Sequence, residues 1–307
     1  MRITRRKLLS GAAAGVAGAA LPRATWAASD LALGEMRLTT LSDGYLTQPP
    51  AFRYGPMPRE ELAAYLASTG TDPNAPITPP CNITLLRHED RVILFDAGAG
   101  LGFLPTVGAL PDALAAVGIA PQDVTHVLFT HGHADHLWGV LDDLDDPLFA
   151  NATHMMGRGE FDYWFDPETV TSIAEDRVPM AVGAKRRLDV LAERMALFDD
   201  GQEILPGIAA RATPGHTAGH MSFELRAGNA GAMVVGDAIL NEHFSVAHPD
   251  WHDGADTDRA QAAATRLALL DQLAHDQMPM IGFHMAGGGI GHVERSASGF
   301  GFIPAAT

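Results

Sequence analysis

Hydrophobic residues recur along the chain in short runs that alternate with turn signals. Runs of about four to eight apolar residues bounded by Gly, Pro, Asn or Asp are typical of buried strands. This pattern predicts strands over 36–46, 83–87, 91–95, 126–130, within 148–156, and over 208–213, 221–225, 232–235 and 280–283. Capping residues and apolar spacing predict helices over 60–68, 111–117, 160–165 and from Asp256 or Thr257 to about His275.

These predicted strands and helices interleave from residue 36 to the end, with hairpins between neighbouring strands. No Gly/Ser-rich linker and no short-period repeat divides them, so we predict a single α/β domain over residues 29–307. The pattern favours two packed sheets with helices outside. Segment 46–80 differs because it is Pro-rich and irregular. We expect it either to cover a pocket or to mediate a homodimer.

The first 28 residues have the pattern of an export signal. Arg5 and Arg6 precede a weakly apolar run over 8–21, and small residues at 24, 27 and 28 offer a cleavage site. A run of about 14 apolar residues is too short to span a bilayer, which needs about 20. We therefore predict a twin-arginine signal over 1–28 and a mature protein in the periplasm or secreted, without stable membrane association.

Composition excludes several classes of partner. The chain has 307 residues, of which 47% are hydrophobic and 19% are charged, as in ordinary globular proteins. Its formal net charge is −16. Five of the 21 basic residues and no acidic residue precede position 29, so residues 29–307 carry −21. This charge disfavours nucleic acids and anionic membranes. One cysteine, Cys81, excludes a disulfide framework and a Cys-based zinc cluster.

The most informative of the 14 histidines lie in one motif, THGHADH at residues 130–136. Imidazole and carboxylate ligands together suit zinc or a similar first-row metal. His131 and His133 are two apart on extended backbone, so they project to the same side and can share one ion. Asp135 and His136 follow where the chain turns and can face a second ion. Further ligands must come from downstream strand ends, where the candidates are His216, Asp237 and His284.

The order of these motifs, His-x-His-x-Asp-His followed by Gly-His, Gly-Asp and a late His, resembles the metallo-β-lactamase superfamily. The resemblance covers about residues 36–307. It implies a four-layer αβ/βα sandwich with two divalent metal ions, typically Zn²⁺, at one edge. By matching position, the first ion would be held by His131, His133 and His216, and the second by Asp135, His136 and His284, with Asp237 bridging both.

The resemblance also implies supporting and catalytic roles. Asp96 matches an acidic residue that supports the metal ligands from behind, and His220 is expected to orient its neighbours. A bound ion lowers the pKa of water from 15.7 to about 7, so a metal-bound hydroxide would be available as nucleophile. Asp237 would lie beside it, and Asp135 would accept or return a proton, so these two are the predicted catalytic residues. A looser run of histidines has no assigned role: His243, His248 and His252.

Within the superfamily, the flanking motifs most resemble the methyl parathion hydrolase branch and its lactonase relatives. The points of resemblance are LSDG at 41–44 and GIGHV at 289–293 before a Gly/Phe-rich tail. The predicted pocket residues are Phe103, Trp138, Trp164 and His292. An aromatic pocket favours a small neutral lactone, carboxyl ester or organophosphate triester as substrate.

Two alternatives to such a hydrolase remain open at this point. A β-lactamase would share the site and the compartment, but the cysteine ligand usual in those enzymes has no match here. A non-hydrolytic relative, such as a sulfur or redox enzyme or a metal-dependent binding protein, would share the ligands without the reaction.

Overall fold

The computed structural model describes residues 29–296 and 299–305, so the predicted export signal at 1–28 lies outside the described residues. The strands are β1 (Asp30–Leu33), β2 (Met36–Tyr45), β3 (Pro80–His88), β4 (Arg91–Phe95), β5 (His126–Phe129), β6 (Thr153–Gly157), β7 (Met195–Phe198), β8 (Glu203–Leu205), β9 (Ile208–Ala212), β10 (Met221–Ala227), β11 (Ala230–Gly236), β12 (Met280–Gly282), β13 (Ile290–Ser296) and β14 (Gly299–Pro304). The helices are α1 (Pro50–Tyr54), α2 (Arg59–Thr69), α3 (Leu110–Ala116), α4 (Ala134–Leu137), α5 (Arg158–Phe165), α6 (Pro167–Ser172), α7 (Val178–Leu191), α8 (Phe244–Ala247) and α9 (Arg259–Asp276).

The strands form two seven-stranded sheets. The first contains β1 to β7 in chain order, and the second has the order β14-β13-β12-β11-β10-β9-β8. Strands β4 to β7 run parallel, as do β11 and β12, whereas the other neighbours are antiparallel. Each half of the chain therefore supplies one sheet.

The central strands of the first sheet are apolar on both faces, which places them between two layers. In β5, Val127 and Phe129 pack against the outer helices, while Leu128 faces the second sheet. Phe95 at the end of β4 meets Phe223 of β10 with ring centroids 5.3 Å apart, in the core between the sheets. Strands with apolar residues at every position need cover on both sides.

Helices cover the outer face of each sheet. The cluster outside the first sheet includes residues of α3, α5 and α7, and the cluster outside the second includes Leu269, Leu270 and Leu273 of α9. The apolar positions of α9 recur at helical spacing, which fixes the buried face of the helix. The predicted four-layer αβ/βα sandwich is confirmed.

One local prediction was wrong, and several elements were not predicted. The side chain of Asp258 caps α9 by accepting a hydrogen bond from the Gln261 N–H, whereas Asp256 has another role described below. Helix α7 was not predicted: Pro179 suits its first turn, but Gly183 lowers its intrinsic propensity, and packing of its apolar face stabilises it. The Gly/Phe-rich tail forms the β13–β14 hairpin. No helix in the described part of the chain is long and apolar enough to cross a membrane.

Candidate metal centre

The ligand motif lies where strands of both sheets end. It follows β5, and its second half forms α4. Asp96 directly follows β4 with φ of 69°, a conformation that is uncommon for a residue with a side chain. Its carboxylate accepts hydrogen bonds from the N–H and the hydroxyl of Thr130, each at 2.8 Å, and from His136 Nδ1 at 2.7 Å. Asp96 therefore supports the motif from behind, where the sequence predicted it.

Three imidazoles form a first cluster: His131, His133 and His216. His133 Nδ1 lies 3.0 Å from His131 Nε2 and 2.9 Å from His216 Nε2, so three nitrogens converge on one point. His216 Nδ1 donates to the carboxylate of Asp256 at 3.1 Å, which leaves its Nε2 lone pair directed inward. His131 and His216 are buried, and His133 is partly exposed at the rim.

Carboxylates and imidazoles together form a second cluster: Asp135, His136 and His284. His284 Nδ1 donates to the carbonyl of Pro80 at 2.7 Å, so its Nε2 faces Asp135 Oδ2 at 3.2 Å. His136 Nε2 lies 3.5 Å from the same oxygen. As in the first cluster, hydrogen bonds at Nδ1 orient the rings and leave Nε2 available to a metal.

Asp237 lies between the two clusters. Its carboxylate oxygens lie 3.2 Å from Nε2 of His216, on the first side, and 3.4 Å from Nε2 of both His136 and His284, on the second. The backbone N–H of Asp237 donates to His220 Nε2 at 3.0 Å. Because the Nδ1 atom of His220 also has a partner, Thr213, this histidine orients its neighbours.

The pKa values of the two clusters differ in direction. Burial and the neighbouring imidazoles hold the pKa of His131 well below its usual value, and burial together with His216 does the same for His133. Burial opposes the charge of His136, but the carboxylates of Asp237, Asp135 and Asp96 raise its pKa to about 10. His131 and His133 are therefore neutral, whereas His136 in the second cluster carries a proton at neutral pH.

The residues fit divalent metal ions. Three buried atoms, Asp135 Oδ2, His136 Nε2 and Asp237 Oδ1, have no hydrogen-bond partner among the described residues. Buried polar atoms without partners are costly, and all three face the space between ligands. Neutral imidazoles and ionised carboxylates are also the forms in which these side chains bind metals.

Several residues that contact the centre were not predicted from the sequence. Asp256, which orients His216, also accepts from Arg266 at 2.7 Å. The carboxylate of Glu160 accepts from the N–H groups of Gly132 and Gly219 and from two side chains, and so ties both ligand loops together. The thiol of Cys81 lies beside Asp135 and His284, whereas in the sequence this cysteine was used only to exclude a disulfide framework and a Cys-based zinc cluster. The ligands were predicted from their spacing along the chain, whereas these residues are distant in sequence from the ligands that they contact.

A cavity of about 280 Å³ opens onto the centre. Its walls include Phe103, Trp138 and Trp164, as predicted. His292 does not line this cavity: alternation along β13 buries Val293 and exposes His292, which borders a separate surface depression. The other histidine run lies outside the cavity as well. His248 stacks on Trp251, with ring centroids 4.1 Å apart.

Comparison with known proteins supports a common family. The sequence model of the metallo-β-lactamase superfamily matches residues 77–279. The chain is 31% identical over 160 residues to the uncharacterized protein YobT of Bacillus subtilis, and 28% identical over 127 residues to the N-acyl homoserine lactonase AttM of Agrobacterium fabrum. These matches cover 52% and 40% of this chain and 62% and 44% of the relatives, so it spans about half the length of those curated proteins.

Two solved structures are similar over nearly their full length. The dizinc quorum-quenching lactonase AidC, in complex with N-hexanoyl-L-homoserine, superposes with a TM-score of 0.85 at 26% identity, covering 91% of this chain and 98% of AidC. The hydrolase AbOPH superposes with a TM-score of 0.84 at 24% identity, covering 91% of this chain and 98% of AbOPH, which shows a similar fold. The methyl parathion hydrolase branch stays a prediction. With the ligand set in place and two thirds of the chain matched, the protein belongs to the metallo-β-lactamase superfamily.

Proposed function

We propose that residues 29–307 form a two-metal hydrolase that opens neutral lactones, with N-acyl homoserine lactones as the leading class and related esters or phosphotriesters as further substrates. The observation that carries this proposal is the pair of ligand clusters that share Asp237 beside an apolar cavity. The likeness to AidC and AttM favours the lactone class. Zn²⁺ is the proposed ion because imidazole and carboxylate ligands suit it.

Each part of the centre has a distinct task in this proposal. The first cluster would hold one ion and the second cluster the other, with Asp237 in contact with both. When bound, the ions supply a Lewis acid for the substrate carbonyl and lower the pKa of water to about 7. Asp135 Oδ2, which lacks a hydrogen-bond partner, would bind an ion or take up a proton during ring opening. Asp96 and Asp256 keep the imidazoles oriented throughout.

The charge pattern of the cavity favours a neutral substrate. Two arginines border it, but both are committed to other contacts. Arg53 forms a buried bidentate pair with Asp253 at 2.7 and 2.8 Å, and Arg177 donates to carbonyls of the 254–256 loop. The remaining wall is largely apolar, so a lactone with an acyl chain would bury its chain there.

A substrate panel tests the proposal. Residues 29–307 loaded with zinc would be assayed against N-hexanoyl-homoserine lactone, an aryl ester, a paraoxon-type triester and nitrocefin. We expect the highest kcat/KM on the lactone and little activity on nitrocefin. Efficient cleavage of nitrocefin alone would favour a β-lactamase, and two tightly held metals without activity on any substrate would favour a non-hydrolytic relative.

We also propose that the chain is exported through the twin-arginine route and acts in the periplasm or outside the cell. The support is the paired Arg5 and Arg6 before a weakly apolar run. Cell fractionation of the full chain and of the Arg5→Lys, Arg6→Lys double variant tests this proposal. Periplasmic recovery of the first and cytoplasmic retention of the second are expected, whereas equal fractionation would contradict it.

A further inference from the structure

The single cysteine of the chain lies against the second ligand cluster. Cys81 is the second residue of β3 and follows Pro80, whose carbonyl oxygen accepts the hydrogen bond that orients His284. Its side chain is completely buried. The sulfur, one oxygen of Asp135 and one ring nitrogen of His284 all lie within 4.8 Å of one another. Three donor atoms of different elements thus face one buried point.

A second observation indicates that a cation belongs at this point. Asp135 is almost fully buried, and its Oδ2 has no hydrogen-bond partner, although it lies 3.2 Å from His284 Nε2. Zinc–sulfur and zinc–oxygen bonds are about 2.3 and 2.1 Å long, so tetrahedral ligand atoms lie about 3.5 Å apart. Atoms already within 4.8 Å can reach that separation by side-chain adjustment. The unpaired oxygen therefore marks a point at which an ion of the second cluster would lie within reach of the sulfur.

We propose that Cys81 binds the ion of the second cluster through its sulfur, together with Asp135 and His284. This inference rests on the proposed two-metal site, but it does not depend on the substrate. The thiol loses its proton to solvent as the sulfur–metal bond forms, so one further proton is released with that ion. A thiolate is a soft ligand, and it would favour Zn²⁺ or Co²⁺ over Mn²⁺ at the second cluster while leaving the first cluster unaffected.

Cobalt loading tests the proposal directly. Wild-type protein freed of metal would be titrated with two equivalents of Co²⁺ and followed by absorption spectroscopy. We expect a near-ultraviolet thiolate-to-cobalt charge-transfer band in addition to the visible bands of the ion. In Cys81→Ser the charge-transfer band should disappear while the visible bands remain. If the wild type bound one or two cobalt ions and showed no charge-transfer band, the proposal would be overturned.

Metal affinity gives an independent measurement. Competition with a chelator should show that Cys81→Ala weakens the second Zn²⁺ at least about tenfold and leaves the first unchanged, because even the loss of a residue that only supports a ligand typically costs about 10- to 100-fold. Equal affinities in wild type and variant would contradict the inference. If the charge-transfer band appeared but no substrate was hydrolysed, the proposed function would be refuted and this inference would stand. If the lactone was hydrolysed but the band was absent, the inference would be refuted and the proposed function would stand.

Discussion

One seven-residue motif supplies two ligands to each cluster, yet the two clusters differ in chemistry. The first contains three imidazoles whose nitrogens converge within about 3 Å, and burial keeps His131 and His133 neutral. The second combines carboxylates with His136 and His284, whose pKa values are raised. His131 and His133 can therefore bind an ion without losing a proton, whereas the second cluster must release protons when it binds one.

Asp237 joins the clusters, so its removal should have the largest effect. Asp237→Asn removes the negative charge that would face both ions and places an amide near His216 and His136. We expect kcat/KM on the lactone to fall at least about 1000-fold, or about 4 kcal/mol of transition-state stabilisation, with loss of one ion. Metal content and steady-state kinetics measure this. Asp250→Asn, at an exposed position, is the control and should behave as wild type.

The pH dependence of metal binding should separate the clusters. Below its pKa of about 10, His136 holds a proton that competes with the ion; raising the pH removes this competitor, so affinity at the second cluster rises. We expect about a tenfold gain per pH unit per displaced proton between about pH 6 and 9. Metal affinity at the first cluster should depend less steeply on pH over the same range, because the lowered pKa values of His131 and His133 leave these two imidazoles without a proton to displace. Calorimetric titrations at several pH values test this, and equal slopes for both ions would break the comparison.

Removing one orienting carboxylate at a time should weaken one ion at a time. Asp256→Asn removes the negative charge from the acceptor of His216 and should weaken the first ion about 10- to 100-fold, whereas Asp96→Asn should weaken the second by a similar factor through His136. Chelator competition with each variant measures the two affinities. If both variants weakened the same ion, the assignment of these partners to separate clusters would be refuted.

The ligands could be predicted from the sequence because four of them lie within six residues and the others follow strands. Not all of the residues that orient these ligands could be predicted. Asp256, for example, contacts His216, which is 40 residues away in the sequence, and its local sequence suggested a helix cap. The prediction used only the number of cysteines and not the position of Cys81 in the fold, so the proximity of Cys81 to His284 was missed. His292 was assigned by its neighbouring motif, but the alternation of β13 turns it away.

The positions of the side chains in the cavity wall also depend on packing that could not be predicted from the sequence. Trp138 is held by contacts that no local pattern indicates: Arg187 lies 4.3 Å above its ring, and a Cβ at Gly183 would lie only 2.0 Å from the indole. Both residues belong to α7, the helix that intrinsic propensity failed to predict. Fold class followed from periodicity, whereas the shape of the site depends on contacts between distant segments.

The smallest effect is expected at Glu160, which supports only the first cluster. Its two oxygens accept four hydrogen bonds, from Gly132 N–H and Trp164 Nε1 on one side and from the Thr217 hydroxyl and Gly219 N–H on the other. Glu160→Gln replaces one acceptor by an amide donor, so two donors lose their partner inside the protein. We expect a loss of about 1–3 kcal/mol in the free energy of unfolding of the metal-free protein. Urea unfolding measures it, with the exposed Glu193→Gln as control. If metal competition showed the second ion weakened more than the first, Glu160 would support the whole centre and the division between the clusters would need revision.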